Sequence, residues 1–357
     1  MNFDYNEEQQ LLADSVRRFL ARDYDFEARR QIVASAEGYS PQAWATFAQM
    51  GLTGLPLPAD CGGFGGGAID LMGVMEAFGE ALVVEPYLPV LMAARAIARS
   101  AQAKSILPAV IEGKTKLSFA HVEKGARYDL SRVKTTARKS GDAWLLRGEK
   151  AAVLGAPMAD KLVVSARTGN GIELFLIPGQ ANTGYKTLDE MRAADIVLNG
   201  TKAEPLGGDL ALVEEVTDLA TALVCAEAVG AMKFACDTTL EYLKTRKQFG
   251  VPIGSFQALQ HRMVDMCIAY EQARSMACLA CSKIDSNEGP GDRARAVSAA
   301  KIKIADSARH ISQESVQLHG GMGMSEELKV SHTFRRLTVI AGQFGDADYH
   351  LARFAAL

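Results

Sequence analysis

The chain has 357 residues, 48% of them hydrophobic, and a formal net charge of -3. That length supports a large core divided over two or three packed units. The near-balanced charge argues against nucleic acid or an anionic membrane as the main partner, because either favours a basic surface.

The opening Met1-Asn2-Phe3-Asp4-Tyr5 is acidic and lacks the basic-then-apolar order of a signal peptide. No apolar run approaches the roughly 20 residues of a membrane span. The longest, at 81–94, is broken by Glu85, Pro86 and Pro89. A cytoplasmic protein without a membrane span is expected. From Asn6 to Gly113 the apolar positions recur three and four apart, as in Leu11, Leu12, Val16, Phe19 and Leu20, which predicts helices. Ser40 followed by Pro41 reads as an N-cap and first helical residue, opening a helix that holds Trp44 and Phe47. A glycine loop at 62–67 leads into a further helix from Ile69.

From Lys114 to Gly208 the period falls to two. Runs at 117–121, 133–137, 143–146, 162–165 and 172–177 read as strands, with turns at Gly141-Asp142, Gly169-Asn170-Gly171 and Pro178-Gly179. Short strands at this spacing predict an antiparallel sandwich or barrel. From Leu210 onward the helical pattern returns in long runs rich in Ala, Met and Leu, broken at 249–252 and 287–291. Such helices pack as a bundle. The expected fold class is mostly α with a middle antiparallel β domain. Its units are an N-terminal helical domain at 1–113, a middle β domain at 114–208 and a C-terminal helical bundle at 209–357.

Cys278 and Cys281 form a CxxC inside an alanine-rich helical pattern, with no second pair and no nearby histidines. They read as buried small residues, and no metal site is expected. The Met-rich positions 263, 266, 276, 322 and 324 read as packing, and His261 and His319 as residues that cap or bridge helices.

Two segments carry chemistry. In Thr245-Arg246-Lys247-Gln248-Phe249-Gly250, a helix carrying Arg246 is expected to end at a left-handed Gly250 cap. A guanidinium and amides near a helix end can grip a phosphate together, although a surface arginine beside a helix stop is the plainer reading. In Gln317-Leu318-His319-Gly320-Gly321-Met322-Gly323, a helix ends in glycines that would let another backbone or a cofactor approach. It follows a helix, so it is not a strand–GxGxxG–helix site.

Together with Glu7-Glu8-Gln9-Gln10-Leu11-Leu12 and Leu57-Pro58-Ala59-Asp60-Cys61-Gly62-Gly63-Phe64-Gly65, these segments make the chain resemble the acyl-CoA dehydrogenase family over nearly its whole length. The resemblance implies a helical domain, a β-barrel or sandwich and a four-helix bundle, a tetrameric assembly, and FAD shared between subunits. It further implies that Arg246, Gln248 and Phe249 contact the pyrophosphate or adenine side of the flavin. Gln317, Gly320 and Gly321 would lie close to the same moiety.

The chain departs from that family on the flavin-ring side. A Thr-Glu-Pro…Gly-Ser-Asp stretch is replaced by residues 121–129, where only Glu123 and Asp129 echo the pattern. A Trp-Ile-Thr segment is replaced by residues 148–155. The base is missing as well: the two positions where the family keeps its glutamate hold Phe344 and Ala220. α,β-Dehydrogenation needs a carboxylate to take the α-proton while the β-hydrogen leaves as hydride. The carboxylates nearest those positions are Glu227, Asp346 and Asp218; otherwise the base lies on a partner chain. Glu123, Arg127 and Tyr128 read either as ligand contacts or as turn and strand-edge residues.

Retention of the ADP-side motifs with loss of ring contacts and base is what one half of a shared site would look like. The expected function is a subunit of a FAD-dependent acyl-CoA dehydrogenase in lipid or steroid degradation. It resembles the small subunit of pimeloyl-CoA or steroid-CoA type heterotetramers and would be paired in an α2β2 assembly with a second acyl-CoA dehydrogenase-like chain. Electron-transferring flavoprotein is implied as acceptor by the resemblance. The alternatives are a self-sufficient homotetramer using Glu227 as base, or a non-catalytic acyl-CoA-binding or structural paralogue.

Overall fold

Asn6 opens the first helix with a capping box, in which its side chain accepts from the Gln9 amide while the Gln9 side chain accepts from the Asn6 amide. The computed structural model describes residues 5–141, 143–180 and 184–357. Most of the N-terminal segment weighed above as a signal peptide, and Asp142 of the expected Gly141-Asp142 turn, lie outside the described residues. The N-terminal helices are α1 (Glu7–Asp23), α2 (Phe26–Ala34), α3 (Pro41–Gln49), α4 (Ala68–Ala81), α5 (Tyr87–Ile97) and α6 (Ala103–Ile111). Ser40 caps α3 through its hydroxyl, which accepts from the Ala43 amide at 3.1 Å, and Pro41 follows at the first helical position. The Asp285 carboxylate accepts from the first two amides of α4, Ala68 at 2.7 Å and Ile69 at 2.9 Å. A negative group at a helix start satisfies orphan N–H groups and suits the local dipole.

The strands are β1 (Leu117–Ala120), β2 (Thr136–Ser140), β3 (Ala143–Leu154), β4 (Lys161–Thr168), β5 (Gly171–Pro178), β6 (Tyr185–Lys186) and β7 (Arg192–Gly207). β4 pairs with β5 on one side and with β1 and then β2 on the other. β2 continues to β3, β3 to β7, and β7 back to β5, so the ladder closes on itself. Closure leaves few unpaired strand edges. The pairings of β4 with β1 and β2 are parallel, unlike the wholly antiparallel arrangement expected. Ala120, Leu146, Val153, Leu162, Val164, Phe175, Ile177, Ala194, Ile196 and Leu198 fill the core. β7 escaped the sequence reading because Gly200 and Pro205 look like breakers; Gly200 sits at φ +74° beside a register shift. The run expected at 133–137 begins its ladder only at Thr136. The amides of Lys134 and Thr135 bond instead to the Glu123 carboxylate, at 2.7 and 3.0 Å.

The C-terminal helices are α7 (Leu210–Thr245), α8 (Gln257–Asp285), α9 (Pro290–His319), α10 (Lys329–Gly342) and α11 (Ala347–Ala356). Between α7 and α8 lies a small hairpin of β8 (Lys247–Gln248) and β9 (Val251–Pro252). α7 has the length and hydropathy of a membrane span, and 89% of its most apolar stretch is buried within the protein. Cys278 and Cys281 are buried, the latter's thiol facing the Ala222 carbonyl. Spatially the chain forms two compact units. One gathers the residues up to 29, 68–83 and 221–357; the other gathers 30–67 and 84–220.

Candidate functional site

α7 stops at Thr245, one residue before Arg246, whose amide donates to the Tyr242 carbonyl at 2.8 Å. Gly250 is therefore not a helix cap. It is the second central residue of the β8–β9 turn, with Phe249 at φ 54° and Gly250 at φ 82°. Two left-handed residues in a two-residue hairpin make a type I′ turn, and the first of them here is a phenylalanine held against its preference. Phe249 is 92% exposed and meets Phe256 edge-on, at 6.3 Å between centroids. Gln248 is exposed, with its side-chain amide donating to the Lys247 carbonyl. The Arg246 guanidinium is exposed and has no hydrogen-bond or ion-pair partner among the described residues.

The second motif closes α9. Gly320 has φ 59° and ψ -145°, a backbone conformation essentially confined to glycine, and its amide donates to the Gln317 carbonyl. A Cβ at Gly320 or Gly321 would meet nothing of this chain within 4 Å, so the bare backbone faces open space. Gly323 is different: its Cβ would lie 2.5 Å from the Val316 carbonyl oxygen, so internal packing demands glycine there. The two motifs sit side by side. Tyr242 stacks on His319 with centroids 4.4 Å apart, and the Thr239 and Ser315 hydroxyls bond at 2.8 Å. The His319 Nδ1 bonds the Ser315 carbonyl of its own helix at 2.8 Å, and burial pushes its pKa below the usual value. A free guanidinium beside an approachable helix end is a donor set suited to a diphosphate.

The ring-side stretches are occupied by the chain's own polar groups. Lys150, fully buried, donates to Glu123 at 2.8 Å, Ser165 at 2.9 Å and the His121 carbonyl at 3.1 Å. Its three donors are thus satisfied, which is the condition for burying an ammonium. Burial pushes Lys150 down to about 8 against the pull of Glu123, and pushes His121 down to about 4, with the Lys150 charge adding to it. Outside, Lys124 bridges Glu149 and Asp195. The Asp195 carboxylate also accepts from the Ala152 amide at 2.9 Å and the Tyr185 hydroxyl at 3.0 Å. The Ala152 amide foremost holds the Asp195 carboxyl below its ordinary value. Ala152 itself has φ 50° and supplies only a methyl group. Asp129 caps a turn through the Ser131 amide at 3.0 Å, while Arg127 lies over the Tyr128 ring. Residues 148–155 carry no aromatic side chain.

At the two positions where a base is expected, Ala220 is fully buried and Phe344 adopts φ 61°. Glu227 is buried, and its two carboxylate oxygens accept from Nε and Nη2 of Arg336, each at 2.6 Å. Nη1 of Arg336 reaches the Gln343 side chain at 3.2 Å. Asp346 caps α11 through the Tyr349 amide at 2.9 Å. Asp218 is buried. The loop between α10 and α11 is held from below by Lys301, which donates to the carbonyls of Gly345 at 2.7 Å and Ala341 at 3.1 Å. Arg336 and Lys301 were missed in the sequence. The doublet Arg335-Arg336 was the available signal, but its partner is 109 residues away. Among the described residues no group of three or more His, Cys, Asp or Glu could hold a metal ion.

Comparison with known proteins matches residues 6–114 to the acyl-CoA dehydrogenase N-terminal domain, 118–194 to the middle domain and 210–356 to the C-terminal domain. Acyl-CoA dehydrogenase FadE12 of Mycobacterium tuberculosis is 30% identical over 95% of this chain and 93% of its own. A 3-(aryl)acrylate reductase of Clostridium sporogenes is 29% identical over 93% and 94%. Among solved structures, the Tcur3481–Tcur3483 steroid ACAD superposes with a TM-score of 0.89 at 29% identity, covering 98% of this chain and 97% of that one. The ChsE4–ChsE5 complex of Mycobacterium tuberculosis superposes at 0.91 with 25% identity, covering 100% and 98%.

Proposed function

The chain belongs to the acyl-CoA dehydrogenase family, FAD-dependent oxidoreductases of acyl-CoA thioesters, and from that premise we propose that it is one half of a composite enzyme. In this reading it supplies the ADP side of a shared FAD site and leaves the flavin ring and the base to a second, related chain. The observation that carries it is a contrast between two sets of residues, each within its own unit. Arg246 is uncommitted and the Gly320-Gly321 backbone is bare, whereas Lys124, Glu149 and Asp195 are bonded to one another and to the Ala152 amide.

Bound FAD would supply the hydride acceptor for α,β-dehydrogenation. This chain's own contributions are to bind and orient: Arg246 neutralises diphosphate charge, Gln248 and Gln317 offer amides, and Gly320 and Gly321 admit the ligand to main-chain distance. Similarity to a steroid ACAD and to the ChsE4–ChsE5 complex supports an α2β2 assembly acting on a lipid or steroid side-chain CoA ester. The homotetramer reading needs Glu227 as base, and the paired Arg336 guanidinium argues against it. The test is flavin stoichiometry. The chain alone is expected to purify without FAD, and the coexpressed pair with it. Stoichiometric FAD and acyl-CoA oxidation by the chain alone would refute the proposal.

A further inference from the structure

Away from this site, one lysine stands at the mouth of a cavity and over an aromatic ring. Lys329, the first residue of α10, has no hydrogen bond or ion pair among the described residues. Its ammonium lies 4.2 Å from the centroid of the Phe234 ring, and the stem lines a cavity of about 330 Å³. Leu20, Tyr24, Phe26 and Ala77 form the apolar wall of that cavity, and the charged residues Arg17, Asp25 and Glu80 line it as well. Arg17 and Glu80 are paired with each other at 3.6 Å, and Arg17 also reaches Glu76 at 3.4 Å. Burial pushes Lys329 down to about 8; Glu80 pulls the other way and Arg29 adds to the fall. At mildly alkaline pH much of this amine is neutral, whereas an exposed lysine, near 10.4, is almost wholly protonated. A lysine desolvated in an apolar pocket is the usual form of a nucleophilic amine.

We propose that Lys329 is a self-acylation site, in which an acyl-CoA thioester enters the cavity acyl end first and transfers its acyl group to Nζ. The neutral amine attacks the thioester carbonyl carbon, an N–C bond forms and the C–S bond breaks. Coenzyme A leaves as thiolate and takes up the proton lost from nitrogen. The products are an amide and free coenzyme A, with no oxidant or reductant consumed. The acyl donor is of the class on which the family acts, and the chemistry requires neither flavin nor partner chain.

The test is to incubate the folded, full-length chain with butyryl-CoA at pH 8 and follow lysine acylation by peptide mass spectrometry. The Lys329 peptide is expected to gain its acyl mass about tenfold faster than the peptide carrying exposed Lys139, because burial at the cavity favours the free amine of Lys329. The preference should vanish in urea, and Lys329→Arg should remove that product while other lysines label as before. Labelling of Lys329 no faster than Lys139 in a chain with native circular dichroism overturns the proposal. So does a preference that survives in urea, since it would then reside in local sequence and not in the cavity.

Discussion

Gly79 of α4 and Gly230 of α7 bring the two helices into backbone contact. A Cβ on Gly79 would fall 1.8 Å from the Glu227 carbonyl oxygen, and one on Gly230 would fall 1.8 Å from that of Glu76. Neither oxygen belongs to a side chain that could swing aside. Gly230→Ala is therefore expected to cost more than the usual ~1–3 kcal/mol of overpacking, read as a lower midpoint in urea denaturation. Gly321→Ala, whose Cβ meets open space, should shift the same midpoint far less.

The Glu227–Arg336 pair gives a second prediction. Removing one partner leaves the other buried and uncompensated, at a cost of about 3–5 kcal/mol. Arg336→Met alone is expected to destabilise strongly, and Arg336→Met with Glu227→Leu to recover most of the loss. A double variant that retains activity within the coexpressed complex would also exclude Glu227 as the base.

Lys301 makes stability depend on pH. Burial holds it at about 8, below the ~10.4 of a free lysine. Between those values the unfolded chain keeps the proton that the folded chain has released, so stability attributable to this group rises with pH across the window. Below about 8 both states are protonated and the contribution is flat. Urea midpoints at pH 7.5 and 9.5, compared between wild type and Lys301→Met, should show a smaller rise in the variant.

The ring-side lattice is exposed and so contributes little to stability. Lys124→Ala is expected to change unfolding free energy by less than about 1 kcal/mol. It should also leave the isolated chain without flavin, because residues 148–155 still carry no aromatic side chain. Yellow colour in that variant would mean that the ion pairs alone had kept the ring out.

For the ADP side, Arg246→Ala in the coexpressed pair should lose FAD on dialysis while the two chains still copurify. Absorbance at 450 nm per complex reads this directly. Loss of the partner instead of the flavin would reassign Arg246 to subunit contact.

The helices and their caps were legible because their signals are local. Ser40-Pro41 and the apolar spacing in α1 act within a few residues, and the structure follows them. Arg246 and Gly320 were legible through resemblance, and their bare surroundings could be seen only in three dimensions. The β8–β9 hairpin was hidden because Phe249 is a poor residue for a left-handed turn, so Gly250 looked like a helix cap. β7 was hidden by Gly200 and Pro205. The Glu227–Arg336 and Glu123–Lys150 pairs could not be read at all. Each joins residues that only the finished fold brings together, and a lone Glu or Lys in sequence looks like any solvated charge.

The turn at Phe249 carries a cost within the folded chain itself. A phenylalanine kept 92% in water, on a left-handed backbone, gains neither a buried ring nor a relaxed main chain. Asparagine or glycine at that hairpin tip should therefore make the isolated polypeptide the sturdier of the two.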